Sequence, residues 1–222
     1  MRTGRTTRAC TVLGACVAAL VTTAQPSAAA PPGVAPPDTV VGGYSVRAAA
    51  QAVLPAFFDA CDREQLPRLP FRPVCARRVA IAEGGGFLFS GHADVRVRAG
   101  RYLFTVLGDV TNGDPVLGTF PRKPPAALEH WFGEDQLSGD RGTVTIDGVT
   151  TTLSSRALVG PFAVTLSDGG TRDVALATFL GPLSIGVHHV RTETTVGGPL
   201  IQETYGADFI RFVNDVTTTV VP

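Results

Sequence analysis

The chain has 222 residues, 44% of them hydrophobic, with 19 basic and 19 acidic side chains. That length suits one domain with a sizeable core, and a balanced charge is a poor match to a polyanion. The charge is unevenly placed, because Arg2, Arg5 and Arg8 precede the first acidic residue, Asp38.

An apolar run from Thr11 to Ala24 follows those arginines, then Gln25-Pro26 and Ser27-Ala28-Ala29-Ala30. A basic start, a short apolar stretch and small residues at −3 and −1 predict a secretory signal peptide over residues 1–29, cut before Ala30. The run is too short for a permanent span, which takes about 20 apolar residues. Leu13-Gly14-Ala15-Cys16 also resembles a lipobox, whose acylation at Cys16 would leave very little apolar chain before it. Loss of the signal removes three arginines, leaving 16 basic against 19 acidic residues and a net charge of −3. Nucleic acid is therefore not an expected partner, and the expected location is secreted, extracellular.

Residues 30–43, rich in proline and alanine, read as a tether, and residues 44–222 as one mostly-β domain. Ala50, Val53, Leu54, Phe57, Phe58 and Cys61 fall on one face at helical spacing, predicting a helix with Ser45 as a candidate cap that Pro55 interrupts, either as a kink or as the first turn of a shorter helix starting there. Of four cysteines, only Cys61 and Cys75 survive export. An even count in that compartment predicts a Cys61–Cys75 disulfide.

From Arg78 onward the period becomes two. Phe87 to Val97 alternates apolar and polar residues, as a half-buried strand does, and Ala99-Gly100 is expected to turn it back through Arg101–Val110 as a hairpin. Asp147-Gly148, between Thr143–Ile146 and Val149–Ser154, favours a type I′ turn. Further hairpins are expected at Phe162–Leu166 with Thr171–Leu180, and at Ile185–Val196 with Leu200–Tyr205, before a last strand over Asp208–Val221. The expected class is all-β, an antiparallel barrel or sandwich of about 9–11 strands with one short N-terminal helix; the long strands favour the barrel. Gly142–Thr150 resembles one hairpin of the lipocalin-like barrels that bind polyisoprenoid lipids, a likeness that implies a cavity-bearing barrel.

Residues 110–142 break the pattern with a long loop holding Glu129, His130, Trp131, Glu134 and Asp135. Loops of this length inside a domain are usually functional lids or disordered, and Trp131 with Glu129, Glu134 and Asp135 is the candidate ligand-binding set. His92 and Asp94, two apart on one strand face, are candidate general base and orienting carboxylate. His188 and His189, being adjacent, point to opposite faces of a strand. Too little chain follows them for a glyoxalase-type metal module. Asp109–Asp114 lacks the donor spacing of a calcium loop. No nucleophile elbow, P-loop or zinc-protease helix occurs, and neither a metal nor a cofactor is expected. The function expected is a secreted non-enzymatic binding or surface domain, with an apolar small molecule under the Trp131 loop or a cell-envelope component as partner. An extracellular hydrolase or isomerase using His92/Asp94 or His130 with nearby carboxylates, and a structural cell-envelope protein, are the alternatives.

Overall fold

The computed structural model describes residues 33–60, 68–114, 142–166 and 169–222. Residues 33–35 are stitched to the end of strand 172–180. Ala35 donates its N–H to the Phe179 carbonyl, and Gly181 donates to that of Gly33. Strands β1 (Val40–Val41) and β2 (Tyr44–Ser45) then form a small ribbon.

Helix α1 (Val46–Ala60) starts where Ser45 Oγ accepts the Ala48 N–H at 3.2 Å, satisfying one of the first-turn donors. Its buried face is Val46, Ala49, Ala50, Val53 and Leu54. Pro55 lies inside the helix rather than at its start. It is solvent-exposed, as is Gln51, whose carbonyl loses its helical donor, so water can replace that bond.

The remaining elements form two larger sheets. In chain order they are β3 (Arg72–Pro73), β4 (Arg77–Glu83), β5 (Gly86–Arg98), β6 (Leu103–Thr111), β7 (Thr143–Ile146), β8 (Val149–Thr152), β9 (Leu158–Ala163), β10 (Arg172–Leu180), β11 (Gly186–Gly197), helix α2 (Pro199–Tyr205) and β12 (Phe209–Val221). A four-stranded sheet has the order β3-β6-β10-β9, and a six-stranded sheet the order β4-β5-β12-β11-β7-β8.

The layers follow from burial. Helix α1 packs on one face of the four-stranded sheet through Phe104, Val106, Ala175, Ala177 and Phe179. The other face, through Leu103, Leu107, Leu176 and Leu180, meets Val95, Val97, Val190, Val216 and Val220 of the six-stranded sheet. Covered on both sides, β10 is buried from Asp173 to Leu180, and β6 is buried from Leu103 to Gly108 for the same reason. Arg47 ties α1 to β9 by donating to the Gly160 and Pro161 carbonyls.

The described residues are mostly β, with 12 strands in three sheets and two short helices, and they contain no closed barrel. Four expectations need correction. Of the two expected architectures, the stacked layers answer to the sandwich and not to the favoured barrel. The strands are not all antiparallel, because β5 lies parallel to β12 and β3 parallel to β6. The chain does not fold back at Ala99-Gly100, since β6 crosses into the other sheet; its apolarity on both faces suits a strand between two layers, not one facing water. Leu200–Tyr205 is helical rather than extended. Pro199 opens that helix, Gly206 in the left-handed region closes it, and Ile201 anchors it in the core.

Candidate functional site

One face of the six-stranded sheet is open to water, and the two-residue period of its strands sends their polar side chains there. Register sets those side chains in rows. His92 on β5 lies opposite Asp215 on β12, Asp215 opposite Arg191 on β11, and Arg191 opposite Thr145 on β7. The next row holds Asp94, Thr217 and His189. Arg191 donates from one nitrogen to both Asp215 oxygens at 3.1 Å and from the other to Glu193 at 3.3 Å. Arg211 continues the chain of charge, pairing with Glu83 and reaching Glu193 at 3.8 Å. A shallow depression of about 150 Å³ is lined by His92, Thr145, His189, Arg191, Asp215 and Thr217. Its donors, acceptors and hydroxyls are interleaved, and its strongest cation is already neutralised by carboxylates.

His92 and Asp94 do share this face, but no hydrogen bond or ion pair joins them among the described contacts. Side chains two apart on a strand stand about 7 Å from each other, and the residue facing His92 across the sheet is Asp215. Asp94 faces Thr217 instead.

A second constellation sits at the end of the sheet. Asp147 and Gly148 both have positive φ, 49° and 86°, the I′ geometry the dipeptide predicts. That turn aims Asp147 at β11, where Oδ1 accepts the His189 N–H at 2.9 Å and Oδ2 sits 2.6 Å from His188 Nδ1. His188 Nε2 lies 2.9 Å from the Ser184 carbonyl and 3.3 Å from Ser184 Oγ. The side chain of His188 is only 8% exposed, that of Asp147 40%. Burial works against the imidazolium, but the bond to Asp147, the Ser184 carbonyl and the Asp147 charge outweigh it and raise the His188 pKa. Asp147 is lowered in turn, first by its bond to His188 and against some desolvation.

Serine, histidine and aspartate in line invite comparison with a hydrolytic triad, yet the proton inventory differs. A catalytic imidazole must accept the serine proton at Nε2. Here Nε2 faces a carbonyl oxygen, which can only accept, so the ring donates from both nitrogens. The arrangement is a charged clamp between the β7–β8 turn and the segment entering β11.

Another cleft, about 400 Å³, runs along Ala82–Phe87 and Gly206–Ala207, with Glu83 the one charged residue among its described lining. Of the sequence candidates, Glu129, His130, Trp131, Glu134, Asp135 and Cys61 lie outside the described residues, as do the signal segment and Cys16. Cys75 is half-buried beside the helix-facing core and is not free. Among the described residues no three His, Cys, Asp or Glu side chains gather as metal ligands, and no helix is long and apolar enough to cross a membrane. The Asp147–His188 pair, separated by 41 residues, has no local sequence signal. The aspartate of an Asp-Gly turn beside a histidine-bearing strand was the only hint available. The chain matches no protein-family model, no curated protein and no solved structure at a significant level.

Proposed function

We propose that this chain is an exported, non-enzymatic binding domain, braced by a Cys61–Cys75 disulfide, that holds a hydroxyl-rich ligand such as a glycan on the open face of its six-stranded sheet. The observation that carries the reading is the depression between His92, His189, Arg191, Asp215, Thr145 and Thr217. Every sugar hydroxyl both donates and accepts, and this lining offers both functions side by side. Its charges are paired within the sheet, which disfavours a strongly charged ligand. Its shallowness suits a polymer lying across strands better than a small molecule enclosed in a pocket.

The test is calorimetric titration of the purified protein with a panel of soluble glycans, with lipids and isoprenoids as contrasting classes. Saturable binding to one glycan class, weakened at least about tenfold in His92→Ala/His189→Ala, is the expected result. Binding confined to lipids or isoprenoids, with altered Trp131 fluorescence and no effect of the histidine substitutions, would instead place the ligand under the 110–142 loop.

A hydrolase reading has one specific observation in its favour, the line Ser184–His188–Asp147. It requires Ser184 to react with a fluorophosphonate probe above the His188 pKa. The clamp reading expects no labelling at any pH.

A further inference from the structure

We infer that β4 is a dimerisation edge, pairing antiparallel with β4 of a second copy of this chain about a two-fold axis through Ala80. Strand β4 terminates the six-stranded sheet and bonds only to β5 among the described strands. Proteins normally protect such an edge with a short strand, proline, a bulge or an outward charge. At the opposite edge, β8 is four residues long with three threonines, all exposed. Strand β4 is seven residues long and carries Val79-Ala80-Ile81-Ala82 at its centre, with Val79 61% and Ile81 49% exposed. An unbulged apolar edge of that length is the usual template for another strand.

The sequence of β4, Arg-Arg-Val-Ala-Ile-Ala-Glu, says which strand. Reversed upon itself about Ala80, position 79 falls opposite 81, and position 77 falls opposite 83. Valine then meets isoleucine twice, and an arginine position meets a glutamate position twice. Cross-strand apolar and opposite-charge pairs are the units that stabilise sheets. A self-complementary edge is also what a two-fold interface requires, because each residue must suit its partner in both directions. A slip of one residue in either direction would separate Val79 from Ile81 and set Val79 opposite alanine. The two-fold axis is perpendicular to the sheet, so the open faces of both copies lie on the same side. Failure of glycan binding would leave this pairing untouched, since none of the depression-lining residues lies on β4.

Sedimentation analysis of the purified protein from about 1 µM to about 1 mM should reveal a monomer–dimer equilibrium. Val79→Lys and Ile81→Lys, at exposed positions that leave the core intact, should each shift it to monomer with an unchanged circular dichroism spectrum. Ala80→Cys should be joined to its symmetry mate by a short bis-maleimide. Ala82→Cys should not, because its mate lies about 14 Å away along the paired strands. A monomer at every concentration, or a dimer indifferent to both lysines, would overturn the proposal. Cross-linking of Ala82→Cys in preference to Ala80→Cys would overturn the register.

Discussion

At His188 both ring nitrogens face oxygen atoms, and the consequence is a pH-dependent tie between two loops. Its folded pKa is raised, so its contribution to stability is fully present below about pH 6.5 and fades as pH climbs through the folded value. Asp147 is lowered, so its contribution is present above about pH 3.8 and is lost as pH falls through its own folded pKa. The tie is therefore strongest between those limits. His188→Gln should lower the melting temperature most near pH 5, with the gap to wild type closing as the solution becomes alkaline. A gap independent of pH would mean the ring acts by shape alone. Thr218, opposite His188 on β12, is fully buried, and its hydroxyl makes no hydrogen bond among the described residues. Thr218→Val keeps the shape and removes a desolvated hydroxyl, so urea unfolding should show about 1 kcal/mol of added stability.

Among the elements, those with local signals were legible and those defined by distant partners were not. Ser45 with the apolar spacing of α1, and Asp147-Gly148 with its flanking threonines, are written within a few residues. Strand order is not: nothing in Phe87–Val97 names β12 as its parallel neighbour, because that pairing joins residues more than a hundred positions apart. The helix at Pro199–Tyr205 was readable from Pro199 and Gly206, yet Gly197-Gly198-Pro199 resembles a hairpin turn just as well. On the open face, the placement of His92 and Asp94 on one side of a strand was legible, whereas Asp215, Arg191 and His189, which line the depression with His92, come from other strands. Glycine at 160 is another long-range requirement. Its φ is 116°, and a Cβ there would stand 2.6 Å from the Asp173 carbonyl oxygen on the adjoining strand. Gly160→Ala should cost about 2 kcal/mol or more through backbone strain and collision. Ser45→Ala should cost about 1 kcal/mol through the lost cap. Chemical denaturation of the two variants would check both the values and their order.

At the scale of the molecule, α1 and the four-stranded sheet serve as a rigid backing, and the six-stranded sheet turns one face inward and one toward water. That division leaves the charged and hydroxyl-bearing residues of β5, β12, β11 and β7 on a packed sheet as support, and the β4 pairing would extend the support across two copies. Rigid elements hold polar groups in fixed positions better than loops do, which supports the proposal that a ligand lies on the open face. The most direct test is a titration of isotope-labelled protein with the glycan class selected by calorimetry, following backbone amide resonances by nuclear magnetic resonance. The account predicts shifts concentrated at His92, Thr145, His189, Arg191, Asp215 and Thr217, with the α1 resonances unmoved. Shifts centred on residues 110–142, or around Ser184 and His188, would contradict it.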